Sequence, residues 1–471
     1  MCLLLAWRPV RPDYKRAVVI VYVVGVFMQI LDSTAVNVAL PAIGSDFGVP
    51  ANEVEWVVLG YLLSLAIGIP AAPWIADRIG SKRAFMIAIA GFVVASMLCG
   101  LAPSLEWLVA ARVLQGLPSG LIVPIGSAIL YRAFPQDERA RAAAAVIGVA
   151  VVAPSIGPIL GGIIVDNLSW HWIFFINLPI GAFAVALTWA WLREEESEPA
   201  GRFDSTGFVL AAFGLAGVLY ALSAGPRQGW TSVGTVGAAV VGFAALVGLV
   251  RYELSIPSPL VDLRLLADRH FRVANLCALS VFAGFISLIY LLPIYLQSHR
   301  GLSATVAGTT QAPQAVGVFI VSNLAARKAY HRYGPRLLVA LGTTMAATMS
   351  AAFAFVGDDT SLWLLRAGTF GRGLAMGFLF VSLQTIAYAT TTLADTGRAV
   401  SIFITQRQIG LAVGTALTAT VLTTNLNADM GLTAFRIAFG IAALLFVPAI
   451  FLAPMIREAD VAKTRVRPAP A

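Results

Sequence analysis

The chain has 471 residues, of which 59% are hydrophobic and only 12% are charged, and its mean hydropathy is +0.83. Soluble domains carry about 25% charged residues, so this composition excludes an ordinary soluble protein and predicts a polytopic membrane protein. The formal net charge of +8 is carried by short basic tracts between apolar runs, which is typical of loops that set membrane topology and not of a nucleic-acid interface.

The first 16 residues contain a four-residue apolar patch that is interrupted by arginines. This patch is too short for the apolar core of a signal peptide, so we expect a cytoplasmic segment and a first helix that acts as an uncleaved insertion signal. The first long apolar run begins near Ala17 and has about the 20 residues that a membrane-spanning helix needs. It carries one carboxylate, Asp32, well inside.

A carboxylate such as Asp32 is energetically unfavourable at that depth of the membrane, because inserting a lone acid costs roughly 2.5 kcal/mol or more on insertion scales. The sequence therefore predicts that Asp32 binds a proton or a cation and acts as the proton-coupling residue. Gln29 shares the helical face of Asp32 and Asn37 does not, and both are candidate cavity residues. The alternative is an acid that a neighbouring helix neutralises for packing alone.

About fourteen apolar runs follow one another, in three groups. Six predicted spans over residues 17–192 form an N-terminal bundle, and six over residues 273–456 form a C-terminal bundle. The remaining predicted segments are a cytoplasmic N-terminal segment (1–16), a polar cytoplasmic linker (193–205), an inserted central helix pair (206–250), a cytoplasmic connector (251–272) and a cytoplasmic tail (457–471). The predicted fold class is all-α and polytopic, with two six-helix bundles and a central pair.

Basic residues test this count of spans. With the N-terminus inside, 25 of the 32 Lys and Arg residues fall in inside segments, two fall outside (Arg227 and Arg300), and five lie within spans. A missed helix would exchange the two sides downstream and destroy this bias. We therefore expect a multi-pass protein of the cytoplasmic membrane with both termini in the cytoplasm.

The two bundles repeat each other at an offset of 254 residues. The matched residues are Arg78 with Arg332, Gly80 with Gly334, Lys82 with Arg336, and Arg112 with Arg366. Matches at equivalent loops and helices predict two structural halves of six helices each. Asp32 has no counterpart, because residue 286 is Ile, so the proton-coupling acid is confined to the first half.

Several motifs occur in a fixed order along nearly the whole chain. They are LDxTxVNVALP (Leu31 to Pro41), ADRxGxKR (Ala76 to Arg83), RxxQG (Arg112 to Gly116), GPxxGG (Gly157 to Gly162), WHWIFFINLPIG (Trp170 to Gly181) and YLQ (Tyr295 to Gln297). Together they resemble the major facilitator superfamily, and specifically its 14-helix drug:proton antiporter branch. The resemblance implies the major facilitator fold and exchange of protons for small molecules.

The turn after the second span carries Asp77, Arg78, Gly80, Lys82 and Arg83. The glycine permits a sharp reversal, and the charges can pair with helix ends or with acids of the other bundle. The resemblance implies that this turn latches the outward-open state. The alternative is that its charges only set topology.

The fourth span places Arg112 and Gln115 on one face, while Gly116 and Gly120 let a neighbouring backbone approach closely. We hypothesise that Arg112 and Gln115 respond to the protonation state of Asp32, which is the only mid-span carboxylate that the sequence suggests. The alternative is an Arg112 that snorkels to the outer surface.

The fifth span aligns Pro154, Pro158 and Gly162 at four-residue spacing, and Gly157 and Gly161 remove side-chain bulk. This pattern predicts a bendable, closely packed helix where the two halves meet. The resemblance associates the motif with exchange as opposed to uniport. The residues themselves indicate only a kinked interface helix.

The second half offers candidate cavity residues that are polar without being acidic. They are Gln311 and Gln314 in the tenth span, Gln384 in the twelfth, and Arg407 in the thirteenth. This set favours neutral, monocationic or anionic lipophilic substrates.

No GxxxxGK[ST] phosphate loop occurs, and the four histidines and three cysteines lack metal-ligand spacing. We therefore expect no enzyme activity, no metal, no cofactor and no nucleic-acid partner. The expected partners are protons, a small-molecule substrate and the lipid bilayer, with a periplasmic adaptor if the cell has an outer membrane. The chain is expected to function as a monomer.

The predicted function is proton-coupled antiport that exports lipophilic drugs or other small molecules by alternating access, driven by the proton gradient. One alternative is a dedicated exporter of a single endogenous metabolite, such as an antibiotic or a siderophore. A second alternative is a non-transporting membrane sensor or scaffold, which would keep the packing glycines without needing Asp32.

Overall fold

The structure is a computed structural model of the chain. It describes residues 13–49, 51–135, 138, 146, 153, 156–157, 160–194, 201–257, 259–322, 326–389, 391–392, 395–427 and 430–456. Within these ranges all regular secondary structure is helical and no β-strand occurs. The prediction of an all-α polytopic protein is therefore confirmed.

The long helices are numbered α1 to α14 in chain order. They are α1 (Tyr14–Phe47), α2 (Trp56–Ile79), α3 (Ser81–Gly100), α4 (Leu105–Ala133), α5 (described over residues 160–167), α6 (His171–Phe175 and Asn177–Trp191), α7 (Ser205–Gln228), α8 (Val233–Ser255), α9 (Arg269–Ile294, continued by a π-helical turn at Tyr295–His299), α10 (Ala304–Ile320), α11 (Pro335–Ala352), α12 (Leu362–Ala387), α13 (Thr396–Asn427) and α14 (Leu432–Leu444, continued by Val447–Leu452). Shorter helices are Ala51–Val54, Leu263–Ala267 and Ala326–Tyr333.

Twelve helices of the described chain are long and apolar enough to cross a membrane. The other two numbered helices are α5, which is only partly described, and α10, which has 17 residues. About fourteen spans were predicted, and the helix order agrees with that number. The segment boundaries of the two bundles, linkers and tails stay a prediction.

Side-chain caps fix the start of several helices. Ser104, Asp204, Ser232, Asp268 and Ser361 each accept a hydrogen bond from a backbone N–H in the first turn that follows. Such caps satisfy donors that the helix itself cannot pair. The spans therefore begin where the sequence changes from polar to apolar residues.

Two glycines support the predicted repeat of the two halves. Gly80 ends α2 with a φ of 87°, and Gly334 precedes α11 with a φ of 81°. L-residues with side chains rarely adopt this region, whereas glycine does so readily. The equivalent turns of the two bundles thus have the same backbone conformation.

Close helix contacts in both bundles are made by glycines. In the first bundle, an added Cβ at Gly116 or Gly120 of α4 would collide with the backbone of α2. In the second bundle, an added Cβ at Gly373 would collide with Gln314 O in α10, and one at Gly377 would lie 3.0 Å from Val318 O. Small residues allow this approach, which supplies packing between helices in lipid.

Hydrogen bonds and ring contacts that join the two bundles directly lie at one end of the described molecule. This end carries the α2–α3 turn and the α12–α13 segment, and we call it the basic end. Ser401 Oγ in α13 donates a 2.9 Å hydrogen bond to Ile69 O in α2. The rings of Tyr131 in α4 and Tyr388 after α12 have centroids 4.8 Å apart. The bundles are therefore closed against each other at the basic end.

The central pair, α7 and α8, bridges the two bundles. α7 packs against α8, against α2 of the first bundle and against α13 of the second. At the end opposite the basic end, Arg227 forms an ion pair with Glu55. There, Trp230 Nε1 also donates a 2.9 Å hydrogen bond to Thr420 Oγ1 in α13. The inserted pair is thus in contact with both halves.

Candidate functional site

Asp32 lies in the middle of α1 and is 1% exposed. Arg112 Nη1 in α4 donates a 2.7 Å hydrogen bond to Asp32 Oδ2, and Arg112 is fully buried. A buried charge needs a partner, and a guanidinium with a carboxylate satisfies both charges. The two ionisable residues that the sequence predicted to interact are thus in direct contact.

Two further donors hold the other carboxylate oxygen. Gln115 Nε2 lies 3.1 Å from Asp32 Oδ1, and Asn177 Nδ2 in α6 lies 2.7 Å from the same atom. Asn177 also donates a 3.0 Å bond to Ser96 Oγ in α3. Three side chains from α4 and α6 therefore donate to one carboxylate.

Arg112 is held in place by more than the carboxylate. Its Nε donates to Val57 O at 3.0 Å, and its Nη1 donates to Gln115 Oε1 at 2.6 Å. Its guanidinium carbon lies 4.1 Å from the centroid of the Tyr61 ring, within the range of a cation–π interaction. The alternative of an arginine that snorkels to the surface is therefore wrong.

Gln29 belongs to a second polar layer beside this pair. Its Nε2 donates to Ser119 Oγ at 2.8 Å, and Ser119 Oγ also shares a 2.6 Å hydrogen bond with Tyr61 Oη. This layer links α1, α2 and α4. Asn37 lies elsewhere: it is exposed, and its amide donates to Ser33 O one turn earlier in α1.

Glycines of the fifth span pack directly on α1. An added Cβ at Gly157 would collide with Thr34, and one at Gly161 would lie 3.0 Å from Ala35 O. Gly162 faces open space. Pro154 and Pro158 lie outside the described residues. The described glycines therefore contact α1 within one turn of Asp32.

Two ion pairs of the charged turn at the basic end join it to α4 and to the linker that follows the first bundle. Asp77 Oδ1 lies 3.9 Å from Arg132 Nη2, and Arg83 Nε lies 3.5 Å from Glu194 Oε2. Lys82 Nζ donates a 2.8 Å bond to Trp189 O, and Arg78 is exposed. The turn approaches the second bundle through the preceding turn of α2. At that contact, an added Cβ at Gly397 would lie 3.7 Å from Pro73 Cβ.

The predicted cavity residues of the second bundle separate into three environments. Gln384 Oε1 accepts a 3.3 Å hydrogen bond from Tyr131 Oη of the first bundle. Gln311 is half-buried in α10. Arg407 is half-buried in α13, and its guanidinium carbon lies 5.9 Å from the centroid of the Phe282 ring. The roles of these residues stay predictions.

Arg372 in α12 was not among the predicted site residues, although it is fully buried. Its Nη1 donates to Gln314 Oε1 at 2.6 Å, and its Nη2 donates to Gly284 O and Phe285 O in α9. The sequence did contain a signal for Arg372, because an arginine inside an apolar run is rare and its burial costs free energy.

The sequence pairing of Arg112 with Arg366 does not describe the buried sites. Arg366 lies in the first turns of α12, where its guanidinium carbon is 4.9 Å from the Trp363 ring centroid and Nη2 is 3.4 Å from Thr309 Oγ1. The glycines that pack alike in α4 and α12 differ by 257 residues, not 254. Loop motifs and helix interiors therefore have different offsets, because the intervening segments differ in length.

Comparison with known proteins agrees with this arrangement. The family model described as Major Facilitator Superfamily matches residues 22–415, and it matches again over residues 274–470. The chain belongs to the major facilitator superfamily. The resemblance to its 14-helix drug:proton antiporter branch is confirmed by the relatives.

The multidrug export protein EmrB of Haemophilus influenzae is 36% identical over 402 residues, which cover 83% of this chain and 77% of the relative. The multidrug resistance protein Stp of Mycobacterium tuberculosis is 34% identical, over 86% of this chain and 75% of the relative. Among solved structures, the human organic anion transporter MFSD10 (TETRAN) superposes with a TM-score of 0.69 at 15% identity, covering 94% of this chain and all of that one. This structural likeness shows the shared major facilitator fold.

Proposed function

We propose that the protein is a proton-coupled antiporter that exports lipophilic small molecules, driven by the proton gradient with no bound cofactor. The observation that carries the proposal is Asp32, a carboxylate buried mid-span and bonded to Arg112, Gln115 and Asn177. Intramembrane acids of this kind mark proton relays in pumps and transporters. The multidrug export and resistance proteins among the relatives support the substrate class.

Protonation of Asp32 would change the forces inside the first bundle. The neutral acid no longer compensates the guanidinium of Arg112, which is then a buried cation without a counter-ion. Arg112 must move or gain another partner, and α1 and α4 shift with it. Because Gly157 and Gly161 pack on α1 one turn away, the shift reaches the fifth span.

The cycle follows from alternating access of two bundles around a central cavity. With the basic end in the cytoplasm, the closed contact between Ser401 and Ile69 supports assignment of this conformation to the outward-facing state. A proton taken up from outside neutralises Asp32 and permits return to the inward-facing state. Inside, the proton leaves and the substrate binds. Exchange requires that proton and substrate disfavour each other's binding.

In this proposal the protein spans the cytoplasmic membrane with both termini in the cytoplasm and works as a monomer. Its partners are protons, the substrate and the surrounding lipid. A periplasmic adaptor would join it in a cell that has an outer membrane. The family is one of transporters, and no enzymatic step is assigned to the chain.

Dye accumulation in cells tests the proposal. Ethidium, a neutral lipophilic dye and an anionic lipophilic dye are compared in cells that express the wild type or Asp32→Asn at matched membrane levels, each with and without a protonophore. We expect the wild type to lower accumulation of dye, and either the protonophore or the substitution to abolish this effect.

Two other outcomes count against parts of the proposal. If Asp32→Asn exports as well as the wild type, another group carries the proton. If no dye moves under any condition, a dedicated exporter of one endogenous metabolite replaces the multidrug exporter. Asn275→Ala provides a matched control, because Asn275 is a buried polar residue of α9 that bonds only to Phe271 O among the described residues.

A further inference from the structure

The second bundle has no carboxylate within its spans. Residues 269–456 contain four acidic residues, Asp358, Asp359, Asp395 and Asp429, and all four lie between helices in the sequence. The same stretch places two arginines deep within helices, Arg372 in α12 and Arg407 in α13. The first bundle offers them no spare acid, because Asp32 is already bonded to Arg112. The interior therefore carries positive charge without a counter-ion.

Arg372 and Arg407 differ in how their charge is satisfied. Arg372 donates to Gln314 and to two backbone carbonyls of α9, which act as a substitute for an acid. Arg407 forms no hydrogen bond or ion pair within the described chain, and its Nε is buried without a partner. A buried, unpaired donor on a charged group is costly. The buried Nε of Arg372 is unpaired as well. The difference is that both Nη atoms of Arg372 donate hydrogen bonds, whereas Arg407 has no hydrogen-bond partner among the described residues.

The surroundings of Arg407 belong to both bundles. Tyr22 of α1 and Tyr388 of the second bundle lie close enough to it for electrostatic interaction. Both phenols are neutral near pH 7, so neither supplies a negative charge. The hydroxyl of Tyr22 is itself engaged with Ser127 Oγ at 2.6 Å. The guanidinium therefore lies at the seam where alternating access would open the cavity.

An aromatic wall lies beside the guanidinium. The Phe282 ring, 5.9 Å from Arg407, stacks on Phe380 at a centroid distance of 5.1 Å. Phe285 packs edge-on against the same Phe380 ring, also at 5.1 Å. Phe282 and Phe380 are largely buried in this conformation. Once the seam between the bundles opens, such a wall binds planar or lipophilic groups, and a guanidinium at its edge fixes an anionic group.

We propose that Arg407 and the wall formed by Phe282, Phe285 and Phe380 are the binding site for lipophilic anions, with Arg407 selecting the negative charge. This inference rests on the proposed function and deepens it, since it names the substrate class. It makes the anion complementary to the unpaired positive charge of Arg407. The Asp32 site stays separate, because its carboxylate is enclosed by its own donors.

Two probes with the same aromatic skeleton test the proposal. Anilinonaphthalene sulfonate carries one negative charge and phenylnaphthylamine carries none. Binding of each to the full chain in lipid nanodiscs is measured by tryptophan quenching, with empty nanodiscs subtracted. We expect the sulfonate to bind about tenfold or more tightly than the neutral probe, the effect of one hydrogen bond to a charged group.

The variants assign this preference to Arg407. Arg407→Gln is expected to lower the affinity for the sulfonate to that for the neutral probe, and Arg407→Lys is expected to retain most of the preference. Arg366→Gln is the control, because it removes a charge from the same bundle at the Trp363 end of α12. A purely structural role for Arg407 would lower the affinity for both probes together.

The wild type alone can overturn the inference: equal affinity for the two probes contradicts it whether or not any variant folds. Loss of the preference in Arg366→Gln, or its survival in Arg407→Gln, also contradicts it. If ethidium export depends on Asp32 but no anion preference exists, the proposed antiport stands and this inference fails. If the preference exists but no compound is exported, the antiport fails and the anion site stands.

Discussion

Asp32 and Arg112 place two opposite charges inside one bundle, where water cannot screen them. The pair is embedded in hydrogen bonds from Gln115, Asn177 and to Val57 O. Removing both charges from water is costly, and their attraction repays that cost only with such additional bonds. The pair is therefore not a source of stability. Its two charges compensate each other, so a change in the charge of one residue acts directly on the other.

Substituting one partner should destabilise the protein more than substituting both. We expect Arg112→Gln to cost about 3–5 kcal/mol, because it leaves Asp32 as an uncompensated buried charge. The double substitution Asp32→Asn with Arg112→Gln should recover much of this loss. Thermal unfolding of the purified protein in detergent measures the effect. A double variant whose loss equals the sum of the single losses would show that the two residues do not interact.

Asn177 offers a test of the buried carboxylate that leaves both charges in place. Asn177→Ala removes one of the three side chains that donate to Asp32, so Asp32 Oδ1 loses a hydrogen bond to a charged acceptor. We expect the rate of proton-driven exchange to fall about tenfold, the effect of one such hydrogen bond. Proton-driven dye uptake into inverted vesicles measures this rate. Asn275→Ala, on the other bundle, should leave the rate unchanged, and an unchanged rate in Asn177→Ala would contradict the assignment.

The sequence predicted Asp32 and Arg112 because charged residues inside apolar runs are rare, and Gln115 because it shares a helical face with Arg112. It did not predict Asn177 or Arg372 as site residues. An Asn within an apolar run does not indicate which helix it contacts, since its contact with Asp32 depends on how α6 is rotated against α1. Arg366, and not Arg372, fits the offset of the loop motifs, so the sequence comparison paired Arg112 with Arg366. The burial of Arg372 follows from the packing of α12 on α9 and α10, which sequence spacing does not encode.

At the scale of helices, the same contact is built twice. Gly116 and Gly120 bring α4 against α2, and Gly373 and Gly377 bring α12 against α10. At Gly116 and at Gly373, the atoms that an added Cβ would meet include a backbone carbonyl oxygen, which cannot rotate away as a side chain does. These two contacts set the spacing around the buried arginines.

Adding one methyl group at these contacts should separate the helices. We expect Gly116→Ala and Gly373→Ala each to destabilise the protein by about 1–3 kcal/mol, the usual cost of overpacking. Gly440→Ala is the matched control, because an added Cβ there meets no atom within 4 Å. Thermal unfolding in detergent compares the three variants. Equal unfolding temperatures for Gly116→Ala and Gly440→Ala would refute the close contact.

The number and order of helices could be predicted because each span is a continuous apolar run and the loops carry the basic residues. The repeat was also visible, and the positive φ of Gly80 and Gly334 supports it. The position of α7 between the bundles could not be predicted, since its sequence is small and apolar on all sides. The position of α7 is determined by its packing against α2 and α13.

For the molecule as a whole, closure at the basic end is the feature that defines its state. Ser401 with Ile69, and Tyr131 with Tyr388, join the bundles there. α7 contacts both bundles. At the other end, Arg227 pairs with Glu55 of the first bundle and Trp230 bonds to Thr420 of the second. Movement between states must therefore break contacts at the basic end while the central pair follows both halves.

A cross-link at the basic end should stop transport. Pro73→Cys with Gly397→Cys places two thiols where α2 and α13 approach each other, and a disulfide or a short bifunctional maleimide would hold the bundles closed. We expect export to be lost on oxidation and restored by reductant. Cys99 and Cys277 are buried. The variants with only Pro73→Cys or only Gly397→Cys control for reaction of these two thiols and of Cys2. Full cross-linking with unchanged export would mean that this contact does not open during the cycle.

In the two proposals the bundles carry different tasks, since Asp32 with Arg112 lies in the first and Arg407 with its phenylalanines lies in the second. Mutations that change which compounds are exported can therefore arise without loss of proton coupling. A population exposed to a new toxic compound is expected to gain resistance through substitutions in α9, α12 and α13, while α1 and α4 stay constant. Recombination between related genes within the α7–α8 segment would then exchange one specificity for another in a single step.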